Sequence, residues 1–198
     1  MELRLPTLEQ LREIYHIEMQ SAFPPAELKP LAAIERMWED GYYKPYCLFD
    51  DGTSPVGLAF LWLGHPGWAL LDYLCVSASR RNDGLGAMIL QLLPQAEPDA
   101  VIFGEAEAPD DAPDPEMAER RLGFYARCGL RIAGYDSEIF GVHYKTLYLA
   151  NRDISDEKLM MEHQFVYKNA FSPEKYEKFI RIPYNPDMKP MEKIPWDQ

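Results

Sequence analysis

The run Arg81-Asn82-Asp83-Gly84-Leu85-Gly86 places two glycines where an apolar stretch gives way to a helical one. A phosphate cradle needs several backbone N–H groups aimed at one spot. Glycines supply the curvature and let the anion come close. A following helix adds its unpaired N-terminal N–H groups and the positive end of its dipole. Arg80 and Arg81 add positive charge. A Rossmann fingerprint would need a third glycine where Ile89 stands, and a Walker A loop would need Gly-Lys-Ser/Thr, a string absent here. Two readings stay open for the loop: an anion site of another kind, or a plain strand-to-helix turn.

Three carboxylates fall in apolar surroundings. Asp72 interrupts the apolar stretch 68–76, where a charge is costly unless it is paired or functional. Glu105 and Glu107 alternate with alanines, so on a strand they share one face. That face is either a substrate-side wall or a solvated strand end. His16, His65, His143 and His163 include no pair at ligand spacing, so no metal is expected. Ser77 and Ser79 lack a Gly-x-Ser-x-Gly elbow, which leaves a covalent serine enzyme unsupported. Cys47, Cys75 and Cys128 are far apart and odd in number, against both disulfides and a cysteine zinc site. Tyr42, Tyr43, Trp62 and Trp68 are expected to pack a core before lining a pocket.

The elements that must carry these residues follow from periodicity. Residues 1–5 alternate as a short strand. Thr7 and Gln10 form a capping box for a helix whose apolar positions are Leu8, Leu11, Ile14, Tyr15 and Met19. Pro24 and Pro25 end it, and a second helix is expected over 26–40, stopped by Gly41. Strands are expected over 46–50, 56–63 and 68–76, with hairpin turns at Asp51-Gly52 and at 64–67. A helix over 85–93 ended by Pro94, a strand over 100–106, a helix over 116–128, and strands over 130–133 and 143–149 complete the pattern. An acidic, proline-rich loop spans 108–114. The order predicts a mixed α/β domain with a mostly antiparallel sheet flanked by helices. Beyond 150 the character changes: helices are expected at 156–168 and from Ser172, then an extended proline-rich end from Pro183.

Composition bounds the function. Hydrophobic residues make up 47% of 198, enough for a real core. A net charge of -12, from 20 basic and 32 acidic residues, lacks the basic footprint of a nucleic-acid binder. It is compatible with a cationic substrate such as an amine, and equally with a charge that serves solubility alone. No apolar run reaches the roughly 18 residues of a membrane span, and the N-terminus lacks a signal-peptide apolar region. A cytoplasmic protein is expected.

Val76-Ser77-Ala78-Ser79-Arg80-Arg81-Asn82-Asp83-Gly84-Leu85-Gly86 resembles the signature of the GNAT superfamily of N-acetyltransferases. That signature is a strand ending in Val, then Arg or Gln, two residues, Gly, one residue, and Gly or Ala. Gly123-Phe124-Tyr125-Ala126-Arg127-Cys128-Gly129-Leu130 resembles the second landmark, a helix ending in Phe-Tyr followed by Gly and an apolar residue. The two occur in the right order with a strand between, and the strong match covers about 70–149. Ala78 stands where many members carry proline. Pro109 and Asp110 stand where many place an asparagine on the pantetheine arm.

The resemblance implies a GNAT-like acyl-CoA N-acyltransferase fold over 1–150, with residues 151–198 as a C-terminal appendage packed on it. It implies acetyl-CoA as cosubstrate, held by Leu74, Cys75, Val76, Arg81, Asn82, Asp83, Gly84, Leu85, Gly86 and Ala87. The chemistry implied is direct attack by a primary amine of a small molecule. An alkyl amine has a pKa near 10.4, so neutralising it at pH 7 costs about 4 to 5 kcal/mol. A carboxylate base can help; Glu105 is preferred slightly, with Asp72 the alternative. Backbone N–H groups around 74–76 would face the oxyanion. Tyr125, matching the landmark tyrosine, would protonate the leaving thiolate. Two other readings share the cradle: a CoA-binding module with little transfer chemistry, and a protein N-acetyltransferase. For the tail, intramolecular packing is expected, with a homodimer contact as the alternative. No nucleic-acid or membrane partner is expected.

Overall fold

The computed structural model describes residues 1–25, 27–50, 52 and 54–193. The chain divides into two compact units, Met1–Leu63 with Leu71–Asp99, and Gly64–Leu70 with residues 100–193.

In the first unit, strands β1 (Glu2–Arg4), β2 (Tyr43–Phe49), β3 (Pro55–Leu63) and the 71–76 part of β4 (Trp68–Val76) lie in the order β1-β2-β3-β4. β2 pairs antiparallel with both β1 and β3. β2 starts three residues earlier than its apolar run predicts, and it includes Pro45. β1 covers β2 only from Cys47 onward, so Pro45 occupies an open edge where its missing N–H costs no ladder bond. The expected hairpin turn at Asp51-Gly52 falls partly outside the described residues.

The Thr7 capping box forms as expected. The hydroxyl accepts from Gln10 N at 3.2 Å, and Gln10 Oε1 accepts from Thr7 N at 2.9 Å. Helix α1 (Leu8–Ile14) continues through a π-helical turn at Tyr15–Met19 into the short α2 (Gln20–Ala22). Leu11, Ile14 and Met19 are buried along it. Helix α3 (Leu31–Glu39) begins later than expected. Pro30 is the cause, because the residue before a proline is steered away from helical angles. Helix α4 (Leu85–Ala96) runs through Pro94 instead of stopping there. In the last turn, proline forfeits one backbone bond, and Glu97 N still reaches Leu93 O at 2.9 Å. α4 packs on β1 and β3, and Leu85, Ile89, Leu90 and Leu93 are buried along it.

In the second unit, β5 (Val101–Glu107), β7 (Val142–Leu149), β6 (Arg131–Ile139) and β8 (Ile180–Arg181) pair antiparallel in the order β5-β7-β6-β8. The fold is thus mixed α/β with mostly antiparallel strands, as expected. β6 is far longer than the apolar segment 130–133 suggests. Two of its later polar residues are paired: Glu138 accepts from Arg181 at 2.8 Å and from Met191 N at 2.7 Å, and Asp136 accepts from Lys145 at 2.7 Å. Helix α5 (Pro115–Arg127) is capped by Asp114, whose carboxylate accepts from Met117 N at 3.0 Å.

Helix α6 (Asp156–Ala170) packs on β6, and α7 (Pro173–Phe179) leads into β8. The register of β6 shifts between Ile132 and Asp136. Gly134 lies in that shift, and a Cβ there would collide with the Asp156 carboxylate at the start of α6. Farther along α6, buried Glu162 accepts from Lys158 and faces His65 Nδ1 at 2.8 Å, tying the helix to the turn at 64–67.

Candidate active site

In the first unit, β4 ends at Val76, a 3-10 turn covers Ala78–Arg80, and α4 begins at Leu85. Asn82 and Gly84 both have left-handed backbones, with φ of 71° and 77°. Asparagine is among the few side chains that tolerate this, and glycine has none to clash. A Cβ at Gly84 would meet nothing within 4 Å, so the outer side of the loop is open to an approaching group. No side chain caps the first turn of α4. Its orphan N–H donors, together with exposed Arg81, fit a pyrophosphate.

Arg80 does not share that role freely. Its guanidinium reaches Asp50 at 3.0 Å and Asp83 at 2.9 Å, so its charge is already neutralised. Leu85 is buried and anchors the loop to the core. Leu74, Cys75, Val76, Gly86 and Ala87 are half-buried on the strand and helix either side. Burial pushes the Cys75 thiol up to about 12, so it holds its proton at neutral pH.

Asp72 lies on the same strand, four residues before Val76. Lys29 Nζ bonds both its oxygens, at 2.8 and 2.7 Å, and the Tyr43 hydroxyl donates to Oδ2. The pair is buried, at 5% exposure for the lysine side chain and 11% for the aspartate. Tyr73 completes the cluster, donating to Glu27 O and accepting from Lys29 N, both at 2.8 Å. These bonds fasten the segment before α3 to β4.

The second unit holds Glu105, Glu107 and Tyr125. Glu107 is partly exposed and faces Arg121 at 3.4 Å. Glu105 is more enclosed, with 14% of its side chain exposed. Its Oε1 lies 2.7 Å from His163 Nε2, and its Oε2 accepts from the Tyr167 hydroxyl at 2.8 Å. Tyr125 sits in the last turns of α5, half-buried, with its ring against Phe124 at 5.3 Å. Among the described residues its hydroxyl makes no hydrogen bond. Burial raises the phenol above its ordinary value, with nearby Arg121 pulling the other way. The acidic loop is anchored by Asp111, which lies 2.6 Å from His143 Nδ1; His143 Nε2 lies 2.9 Å from Asp136.

Three partners were not legible as site residues. Lys29 on Asp72, and His163 and Tyr167 on Glu105, come from remote parts of the chain. The helical spacing of His163 and Tyr167, four apart beside buried Leu159 and Val166, was the one available signal.

Comparison with known proteins gives this geometry its class. The Acetyltransferase (GNAT) family matches the chain over residues 8–130. This chain belongs to the GNAT family of acetyltransferases. It is an N-acetyltransferase, and acetyl-CoA is its cosubstrate. The fold is shared with solved structures. A protein from Bacteroides thetaiotaomicron assigned to the GNAT family superposes with a TM-score of 0.66 at 22% identity, covering 83% of this chain and 95% of that one. A chimera of the spermidine N-acetyltransferase SpeG from Vibrio cholerae gives 0.57 at 16% identity, covering 75% and 95%. An acetyltransferase of Bacillus subtilis in complex with CoA gives 0.51 at 16% identity, covering 76% and 97%. No curated protein matches by sequence.

Proposed function

We propose that this enzyme transfers the acetyl group of acetyl-CoA directly to a primary amine of a small cationic molecule. The observation that carries the reading is the loop 81–86, where left-handed Asn82 and Gly84 lead into an uncapped helix. The cosubstrate supplies an activated thioester. The chain's residues hold it, take a proton from the amine and return one to the departing sulfur. Leu74, Cys75, Val76 and the loop from Arg81 to Ala87 are read as the binding residues, with backbone N–H groups of 74–76 facing the oxyanion.

Glu105 is read as the general base in preference to Asp72. An amine must give its proton to a lone pair, and both Asp72 oxygens are bound by a buried ammonium. Glu105 accepts one hydrogen bond at each oxygen, from His163 Nε2 and from the Tyr167 hydroxyl, and among the described residues no lysine or arginine pairs with it. Tyr125 is read as the acid. Its raised phenol stays protonated through neutral pH and can donate to a thiolate. Direct transfer is favoured over an acyl-cysteine route because burial raises all three thiols above their ordinary value.

The net charge of -12 supports a cationic acceptor, and spermidine, the substrate named for the Vibrio cholerae enzyme, is a sensible first member of an amine panel. Residues 151–198 are read as an appendage of the transferase domain at 1–150, supported by the packing of α6 on β6. No helix among the described residues is long and apolar enough to cross a membrane. The test is an acetyl-CoA turnover screen over diverse amines. Turnover with at least one small amine is expected; binding of acetyl-CoA with no acceptor in the panel would overturn the reading.

A further inference from the structure

His163 is wholly buried on α6, beyond the stretch 8–130 that matches the family. Both ring nitrogens have partners: Nε2 faces Glu105 Oε1 at 2.7 Å, and Nδ1 faces the Tyr135 hydroxyl at 3.3 Å. A carboxylate oxygen accepts, so Nε2 donates to Glu105, while Nδ1 lies against the Tyr135 hydroxyl. One turn farther along, Tyr167 is also buried and donates to the other oxygen of Glu105. The two donors are four residues apart, the spacing that puts them on one helix face. A single helix thus takes hold of both oxygens of one carboxylate.

A glutamate has three rotatable bonds, and a base must be fixed before substrate arrives for orientation to help the reaction. Two donors on two oxygens remove that freedom and leave further lone-pair directions for an incoming ammonium. The His65–Glu162–Lys158 cluster and the packing of α6 on β6 hold the helix in the position this requires. We propose that His163 and Tyr167 are positioning residues for Glu105, so that α6 belongs to the catalytic machinery as well as to the apolar core. This rests on reading Glu105 as the base.

The experiment is steady-state kinetics on the full chain, with acetyl-CoA and the fastest amine of the panel, for Glu105→Gln, His163→Phe, His163→Gln and Tyr167→Phe. Glu105→Gln is expected to lower kcat by about 100-fold or more. His163→Phe is expected to lower kcat roughly tenfold with KM for acetyl-CoA unchanged. His163→Gln, which keeps an amide N–H near the Nε2 position, is expected to recover most of that loss. If His163→Phe does not fold, Tyr167→Phe reads the same effect from the other oxygen. Wild-type kcat in folded His163→Phe and Tyr167→Phe, with Glu105→Gln impaired, would overturn the role of α6 and leave the base intact. Wild-type kcat in Glu105→Gln would overturn the base itself. Independently of any acceptor, NMR should show an exchange-protected imidazole N–H of His163 that shifts strongly in Glu105→Gln; an unshifted resonance would contradict the contact.

Discussion

Lys29 Nζ lies 2.7 Å from Asp72 Oδ2 and 2.8 Å from Oδ1, and little of either side chain is exposed. A buried pair of this kind is costly to break, because removing one partner leaves the other charge without its compensation. Asp72→Ala is therefore expected to cost about 3 to 5 kcal/mol of stability. The folded fraction should keep a kcat within a few-fold of wild type. Thermal unfolding alongside turnover checks this; a wild-type Tm would contradict the structural role assigned to the pair.

Tyr125→Phe removes the proposed acid while keeping the ring against Phe124. A fall in kcat of about 100-fold is expected, with KM for acetyl-CoA little changed. Since burial raises the phenol, wild-type activity should not fall through loss of this proton until the pH exceeds about 10, the ordinary tyrosine value. Unchanged kcat in Tyr125→Phe would take the residue out of the mechanism.

Burial raises the thiols of Cys47, Cys75 and Cys128, so little thiolate exists at neutral pH. Iodoacetamide at pH 7 is expected to leave turnover intact. Initial-rate plots against acetyl-CoA and amine should intersect, as direct transfer requires. Parallel lines would point to an acyl-enzyme instead.

Glu162 links acid stability to α6. Burial pushes its carboxyl up, but the bonds from Lys158 and His65 outweigh that, and the group titrates below its ordinary value. A depressed carboxyl adds stability that is present above its unfolded value, about 4.3, and is lost as pH falls through the folded one. Denaturant unfolding should weaken below about pH 4, and Glu162→Gln should flatten that dependence. Equal slopes in the two proteins would sink the assignment.

Much of this was legible in the sequence because local chemistry decided it. The Thr7 capping box, the bounds of β4 and the start of α4 follow from short-range patterns that the tertiary structure leaves alone. The full length of β6 is not legible because Asp136, Ser137 and Glu138 break the apolar pattern, and the burial of Glu138 depends on Arg181, which lies far along the chain. The same limit applies to the site. The loop 81–86 is contiguous and could be read directly. The surroundings of Asp72 and Glu105 could not, since Lys29 is 43 residues from one and His163 is 58 from the other. What separates the two carboxylates is which donors reach them, and that is long-range information.

The central claim is acetyl transfer from acetyl-CoA to an amine nitrogen, and mass spectrometry of reaction products across an amine panel tests it most directly. The account predicts one acetylated amine for each CoA released with at least one small cationic amine, and loss of that product in Glu105→Gln. CoA release accompanied only by free acetate, with no amine in the panel acetylated, would contradict it.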